Sequence, residues 1–195
     1  MIGLTGAMGV GKSSVLAAFA LRGYPALSAD AVVHDLYHQD TVREQIAGHF
    51  GEDVIDADGD VDRPALARRC FGDPVALTWL EQFLHPLVGD ELGRWVSQMA
   101  EEEDPPALVV YESPLLFEAG QMDRFDRILV VTAPEAIRRS RLEERGGLER
   151  VAEREARLWS PERREAAADD ILDNGGTLEQ LQNAVDGYIA RYAGQ

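Results

Sequence analysis

Lysine is almost missing from this chain. Of its 19 basic residues, Lys12 alone is a lysine and the other 18 are arginines. Cysteine is equally scarce: Cys70 stands by itself, which excludes an internal disulfide and fits a reducing compartment. Between Leu66 and Phe71 on an expected helix, it reads as a small buried side chain rather than a reactive thiol. Although 45% of the residues are hydrophobic, no apolar run approaches the roughly 20 residues of a membrane span. Nor does a basic segment precede a signal-type apolar stretch, so a soluble, cytoplasmic protein without a membrane partner is expected. Positive charge is in deficit overall. A net charge of −16 argues against nucleic acid or an anionic membrane as the main partner. Internal repeats and low-complexity segments are absent, and 195 residues suffice for one compact domain with an insertion.

The single lysine sits in Gly6-Ala7-Met8-Gly9-Val10-Gly11-Lys12-Ser13, which fills the phosphate-loop pattern G-x-x-x-x-G-K-[ST]. An arginine-rich chain has kept an ammonium where a compact, flexible point charge must reach the β- and γ-phosphates of a nucleotide, a task poorly suited to a broad planar guanidinium. Met1 to Thr5 is a short apolar run suited to a buried strand. Ser13 to Leu21 reads as a helix with Val15, Leu16 and Phe19 facing the core. Gly6, Gly9 and Gly11 allow a tight turn that aims backbone N–H groups at phosphate oxygens, and the helix start adds its positive dipole end. ATP contacts are therefore expected from Gly6 through Ser14, with Ser13 as a ligand of the accompanying magnesium. The alternative is an ordinary Gly-rich strand-to-helix turn.

Strand and helix signals alternate along the chain. Tyr24 to Ala29, Ala107 to Tyr111 and Ile128 to Thr132 are further buried-strand candidates, and Ile171 with Leu172 marks a shorter fifth. The expected fold class is α/β, a P-loop NTPase-type doubly wound parallel sheet of about five strands with ligands at the carboxyl ends. From Asp30 to Pro105 helical stretches dominate, at Thr41 to Phe50, Pro64 to Phe71 and Pro74 to Ala100. The expected layout is a core of 1–30, 106–137 and 166–195, a helical substrate-binding insertion over 31–105 and a helical lid over 138–165. Thr177 caps a last helix on which Leu178, Leu181, Val185 and Ile189 repeat at helical spacing. The run Glu101 to Asp104 before Pro105-Pro106 reads as an exposed loop.

Arginine is concentrated where the lid is expected. Nine arginines against six acidic residues between Arg138 and Arg164 make that segment +3, leaving −19 elsewhere. Pro134 to Glu144 and Glu149 to Leu158 read as two helices broken at Gly146-Gly147, a hairpin able to close over a polyanionic ligand. A solvated face of mixed charge is the competing reading.

Two carboxylates stand at strand ends. Asp30 follows the second strand, where it can take a proton from an attacking hydroxyl or hold a metal-bound water; equally, it can cap a helix starting at Ala31. Glu112 ends the strand Leu108-Val109-Val110-Tyr111 as a Walker B acid does, acting on the metal through water, or is a surface turn carboxylate. Taken together, these residues resemble the dephospho-coenzyme A kinases. The matches run in order: Leu4 to Ser14, Ser28-Ala29-Asp30, Asp58-Gly59, Asp62-Arg63, Leu66, Phe71, Leu80-Glu81, His85-Pro86, Pro114-Leu115-Leu116-Phe117-Glu118, Arg141, Arg145, Ala168-Asp169 and Asn174-Gly175. The resemblance spans almost the whole chain. It implies transfer of the ATP γ-phosphoryl group to the ribose 3′-hydroxyl of dephospho-coenzyme A with Mg2+. It further implies Lys12, Asp30, Arg141 and Arg145 as catalytic residues, Asn174 near the ATP adenine, and Asp30, His85, Pro114, Leu115, Leu116 and Glu118 at the acceptor.

The chain departs from the family pattern at Ser28, where a first aspartate is common, at His34, where an arginine is frequent, and at Leu158, where a glutamine is usual. His85 has a competing reading as a core histidine beside a proline bend. Two other functions share the phosphate loop: another small-molecule kinase, and a nucleotide-dependent regulator without turnover. His85-Pro86 and Pro114 to Glu118 favour the first reading over the former, and retention of Lys12, Ser13, Asp30 and the arginines favours it over the latter.

Overall fold

A computed structural model describes residues 1–144, 151 and 155–193. Five strands form one sheet in the order β2-β3-β1-β4-β5, and every pairing is parallel. They are β1 (Ile2–Gly6), β2 (Ala26–Ser28), β3 (Val110–Glu112), β4 (Arg127–Thr132) and β5 (Asp170–Asp173). The α-helices bounded among the described residues are α1 (Lys12–Ala20), α2 (Ala29–Leu36), α3 (Asp40–Phe50), α4 (Arg63–Cys70), α5 (Pro74–Ala100), α6 (Glu135–Glu144), α7 (Pro161–Ala166) and α8 (Leu178–Tyr192).

Alternation along β4 shows why this sheet is buried on both faces. Leu129 and Val131 join Ile2, Leu4, Val15, Phe19, Leu181 and Val185 in a core under α1 and α8. Ile128 and Val130 point the other way, to Leu116, Phe117 and Trp159. Gly3 of β1 lies on that second face, where a Cβ would come within 2.6 Å of Leu116 Cδ1. α8 starts with a capping box: Thr177 Oγ1 accepts from Gln180 N, and Gln180 Oε1 accepts from Thr177 N.

The chain divides into two compact units, 1–28 with 104–195, and 29–103. The second has its own apolar cluster of Tyr37, Val42, Ile46, Val54, Leu66, Cys70, Leu80 and Leu84. Cys70 is buried there and burial pushes its thiol pKa up, consistent with a packing residue. This unit is not wholly helical as expected, since Ile55 and Val61 form an antiparallel bridge around the Asp58-Gly59 turn.

Three sequence expectations need correction. α2 starts at Ala29, not Ala31, so Asp30 lies in its first turn and does not cap it. His85 is exposed on α5, which excludes the core-histidine reading. Leu116, expected at the acceptor, is fully buried in the second sheet-face cluster, because the side chain fills the space that Gly3 leaves open.

Candidate active site

The loop between β1 and α1 depends on two left-handed glycines. Gly9 has φ 75° and Gly11, immediately before α1, has φ 89°. At Gly11 space is also exhausted: a Cβ would lie 2.3 Å from Asn174 Nδ2. Asn174 is buried and follows β5, and its Nδ2 donates to Val10 O at 2.8 Å. Gly11→Ala is thus expected to cost about 1–3 kcal/mol through backbone strain alone. It should also weaken nucleotide binding by displacing Asn174. Urea unfolding and ADP titration check both, and an unchanged midpoint would contradict the geometry.

Cationic side chains take up the carbonyls of five successive loop residues. Lys12 Nζ donates to Gly6 O at 3.1 Å and Ala7 O at 3.2 Å. Arg138 Nε donates to Met8 O at 2.9 Å, and Arg141 Nη1 donates to Val10 O at 3.2 Å and Gly9 O at 3.4 Å. Arg141 Nη2 also reaches Asn174 O at 2.9 Å. With the carbonyl side committed to cations, anion binding falls to the N–H groups at the α1 start. Lys12 Nζ lies 4.0 Å from Glu112 Oε1, and Glu112 is only 6% exposed, so it is not the surface carboxylate of the competing reading.

Arg138 bridges further, pairing with Glu155 as well as with the loop. It lines a cavity of 60 Å³ together with Ala7, Val10, Val130 to Ala133, Pro161, Arg164 and Glu165. Arg164 is 4% exposed; burial pulls its pKa down, Glu118 and Glu155 pull it up, and Arg138 pulls it down. The guanidinium stays protonated in any case. Arg138 and Arg164 were missed by sequence reasoning as individuals, because their signal was only the arginine excess of the whole segment.

Glu118, expected at the acceptor, is engaged within the chain. Its Oε1 accepts from Trp159 N at 2.6 Å and lies 3.9 Å from Arg164 Nη2, so the carboxylate serves the chain itself. Pro114 and Leu115 are partly buried beside it. Ser13 is exposed at the start of α1 and Ser14 is partly buried. Arg145 and Gly146-Gly147 lie outside the described residues, as do five of the ten residues of the second expected lid helix, Glu149 to Leu158.

The dephospho-CoA kinase family profile matches residues 1–180. A dephospho-CoA kinase of Frankia casuarinae is 37% identical over 187 residues, covering 95% of this chain and 80% of the relative. The chain belongs to the dephospho-CoA kinase family. Among solved structures, TT1252 from Thermus thermophilus is 38% identical with a TM-score of 0.80, covering 97% of this chain and 96% of that one. A dephospho-CoA kinase from Campylobacter jejuni shares the fold at 19% identity and a TM-score of 0.70, covering 100% and 97%.

Proposed function

We propose that the protein transfers the γ-phosphoryl group of ATP to the ribose 3′-hydroxyl of dephospho-coenzyme A, releasing coenzyme A and ADP in the cytoplasm. The carrying observation is the convergence of Lys12, Glu112, Arg138, Arg141 and Asn174 on the phosphate loop, in a chain of this family.

On this reading the phosphates dock on the loop N–H groups from Gly9 to Ser14, and Lys12 exchanges the carbonyls of Gly6 and Ala7 for β- and γ-phosphate oxygens. Charge developing on the transferring group is stabilised by Lys12 and by Arg141. Arg145, from the same segment, supplies a further guanidinium. Asp30, two residues beyond β2, accepts the proton of the acceptor hydroxyl. Asn174 packs near the adenine. The unit 29–103, with His85 on α5, holds the pantetheine-bearing nucleotide, while Pro114 and Leu115 shape the acceptor side. Residues 138–165 act as a lid that excludes water.

Magnesium fits the donor set. One serine hydroxyl, Ser13, and one buried carboxylate, Glu112, suit an ion that keeps several waters and takes its other ligands from phosphates. No cluster of three or more His, Cys, Asp or Glu suited to a metal occurs among the described residues. Held by Ser13 and, through water, by Glu112, the ion would supply positive charge to offset that of the phosphates. No helix among the described residues is long and apolar enough to cross a membrane.

The test is turnover with ATP and magnesium on a panel of acceptors. Dephospho-coenzyme A should be phosphorylated at its 3′-hydroxyl, well above adenosine monophosphate or shikimate. Equal or greater turnover on either of those, with none on dephospho-coenzyme A, would overturn the reading.

A further inference from the structure

Glu118 carries a commitment that the acceptor-binding role leaves unexplained. The turn that bears it is held at several points. Ser113 N donates to Leu4 O at 3.0 Å, Leu116 is sealed under Gly3, and Phe117 stacks on Trp159 with centroids 5.0 Å apart and planes 14° apart. From this turn Glu118 reaches to the segment leading into α7. It takes the Trp159 amide at 2.6 Å and faces Arg164 at 3.9 Å, while Arg163 lies 3.5 Å over the Trp159 ring. Ser160 then caps α7 by accepting from Arg163 N. Trp159, Ser160 and Arg164 are thereby fixed on one short stretch.

The ion pair itself is unusual. Glu118 Oε2 is buried and has no hydrogen-bond partner among the described residues. Arg164 is nearly fully buried, yet its contact with Glu118 is an ion-pair separation of 3.9 Å rather than a hydrogen bond. A purely structural pair in such a dry place gains most by closing to full hydrogen-bonded contact. This one instead leaves Arg164 on the wall of the 60 Å³ cavity beside Ala7 and Val10 of the phosphate loop, with a second guanidinium, Arg138, on the same wall. Glu155, paired with Arg138 and acting on Arg164, lets the two guanidiniums share that wall, and both carry positive charge beside the phosphate loop.

From this we infer that Glu118 is a positioning residue: it holds the Arg164 guanidinium at the cavity wall, where Arg164 and Arg138 together face the phosphoryl group being transferred. The assignment rests on the phosphotransfer reading above. It replaces acceptor contact by Glu118 with action through Arg164.

The test is a cycle of Glu118→Gln, Arg164→Gln and the double variant, assayed with ATP and dephospho-coenzyme A beside the parent. Glutamine keeps the acceptor for the Trp159 amide and removes the charge facing Arg164, with an amide NH2 in place of Oε2. Glu118→Gln should lower kcat about tenfold with the acceptor KM within about twofold, the pattern of a lost transition-state interaction. In the Arg164→Gln background the same change should add less than about twofold, because its route of action is already gone. A raised acceptor KM at parental kcat would overturn the inference in favour of acceptor contact. Equal losses in both backgrounds would overturn it in favour of an independent role. Amide exchange at Trp159 in the unmodified protein needs neither a folded variant nor turnover. Slow exchange with and without ADP is expected, and fast exchange would remove the anchor. A parent enzyme inactive on dephospho-coenzyme A would overturn the acceptor assignment, with the Trp159 amide still deciding the anchor on its own.

Discussion

Lys12→Arg should lose on the order of a hundred- to a thousandfold in turnover despite keeping its charge, the scale of removing a preorganised charge-stabilising donor. The ammonium sits in a confined place, 14% exposed, within 3.1 and 3.2 Å of two loop carbonyls and 4.0 Å from the Glu112 carboxylate. A guanidinium is wider, planar and unable to pivot three donors about one point. The chain's composition supplies a second readout. Lys12 carries the only side-chain amine, so an amine-selective reagent can modify only it and the α-amino group. Saturating ATP with magnesium should shield Lys12 and leave Met1 far less changed. An arginine variant with parental turnover, or equal labelling of Lys12 with and without nucleotide, would remove its central role.

Asp30→Asn should cost on the order of a hundredfold or more in turnover, as the loss of a general base does. The structure sharpens the control. Asp30 is a first-turn residue of α2 rather than its cap, a position where a carboxylate adds a favourable dipole interaction of about 0.3–1 kcal/mol, and the unfolding midpoint is expected to move little. ATP affinity should be retained. A variant that melts early while its folded fraction remains fully active would assign Asp30 to the fold instead.

The parts legible in the sequence were those written in local chemistry. The start of α5 at Asp73-Pro74 and the Thr177 cap are each set by side chains bonding to their own neighbours, and the phosphate loop by glycines and a lysine at fixed spacing. Strand ends were less legible because partners decide them. Ala107 to Tyr111 is apolar throughout, yet β3 begins only at Val110, since β1 enters the ladder at Ile2 and β2 at Ala26, both opposite Val110. Likewise Tyr24 and Pro25 stay outside β2, an edge strand limited by its three-residue neighbour.

Within the site, the same distinction holds. Gly11 and Lys12 announce themselves by type and spacing. The engagement of Glu118 with Trp159, 41 residues away, has no counterpart in either residue's local sequence. A glutamate in a turn reads identically whether it faces a ligand or a distant backbone amide, and only the packing of Leu116 beneath it decides.

The position of β1 at the centre of the sheet also dictates an order of assembly. Its neighbours are β3 and β4, so Ile2 waits for Val110 and Arg127, more than a hundred residues downstream. At synthesis rates of about 5–20 residues per second, the first strand made remains unpaired for roughly 5 to 20 seconds. The unit 29–103 lies wholly inside that interval and closes its own apolar cluster through short-range contacts. It can therefore be folded before the sheet exists, and the growing chain then has only one long loop to close, already shortened by a compact body.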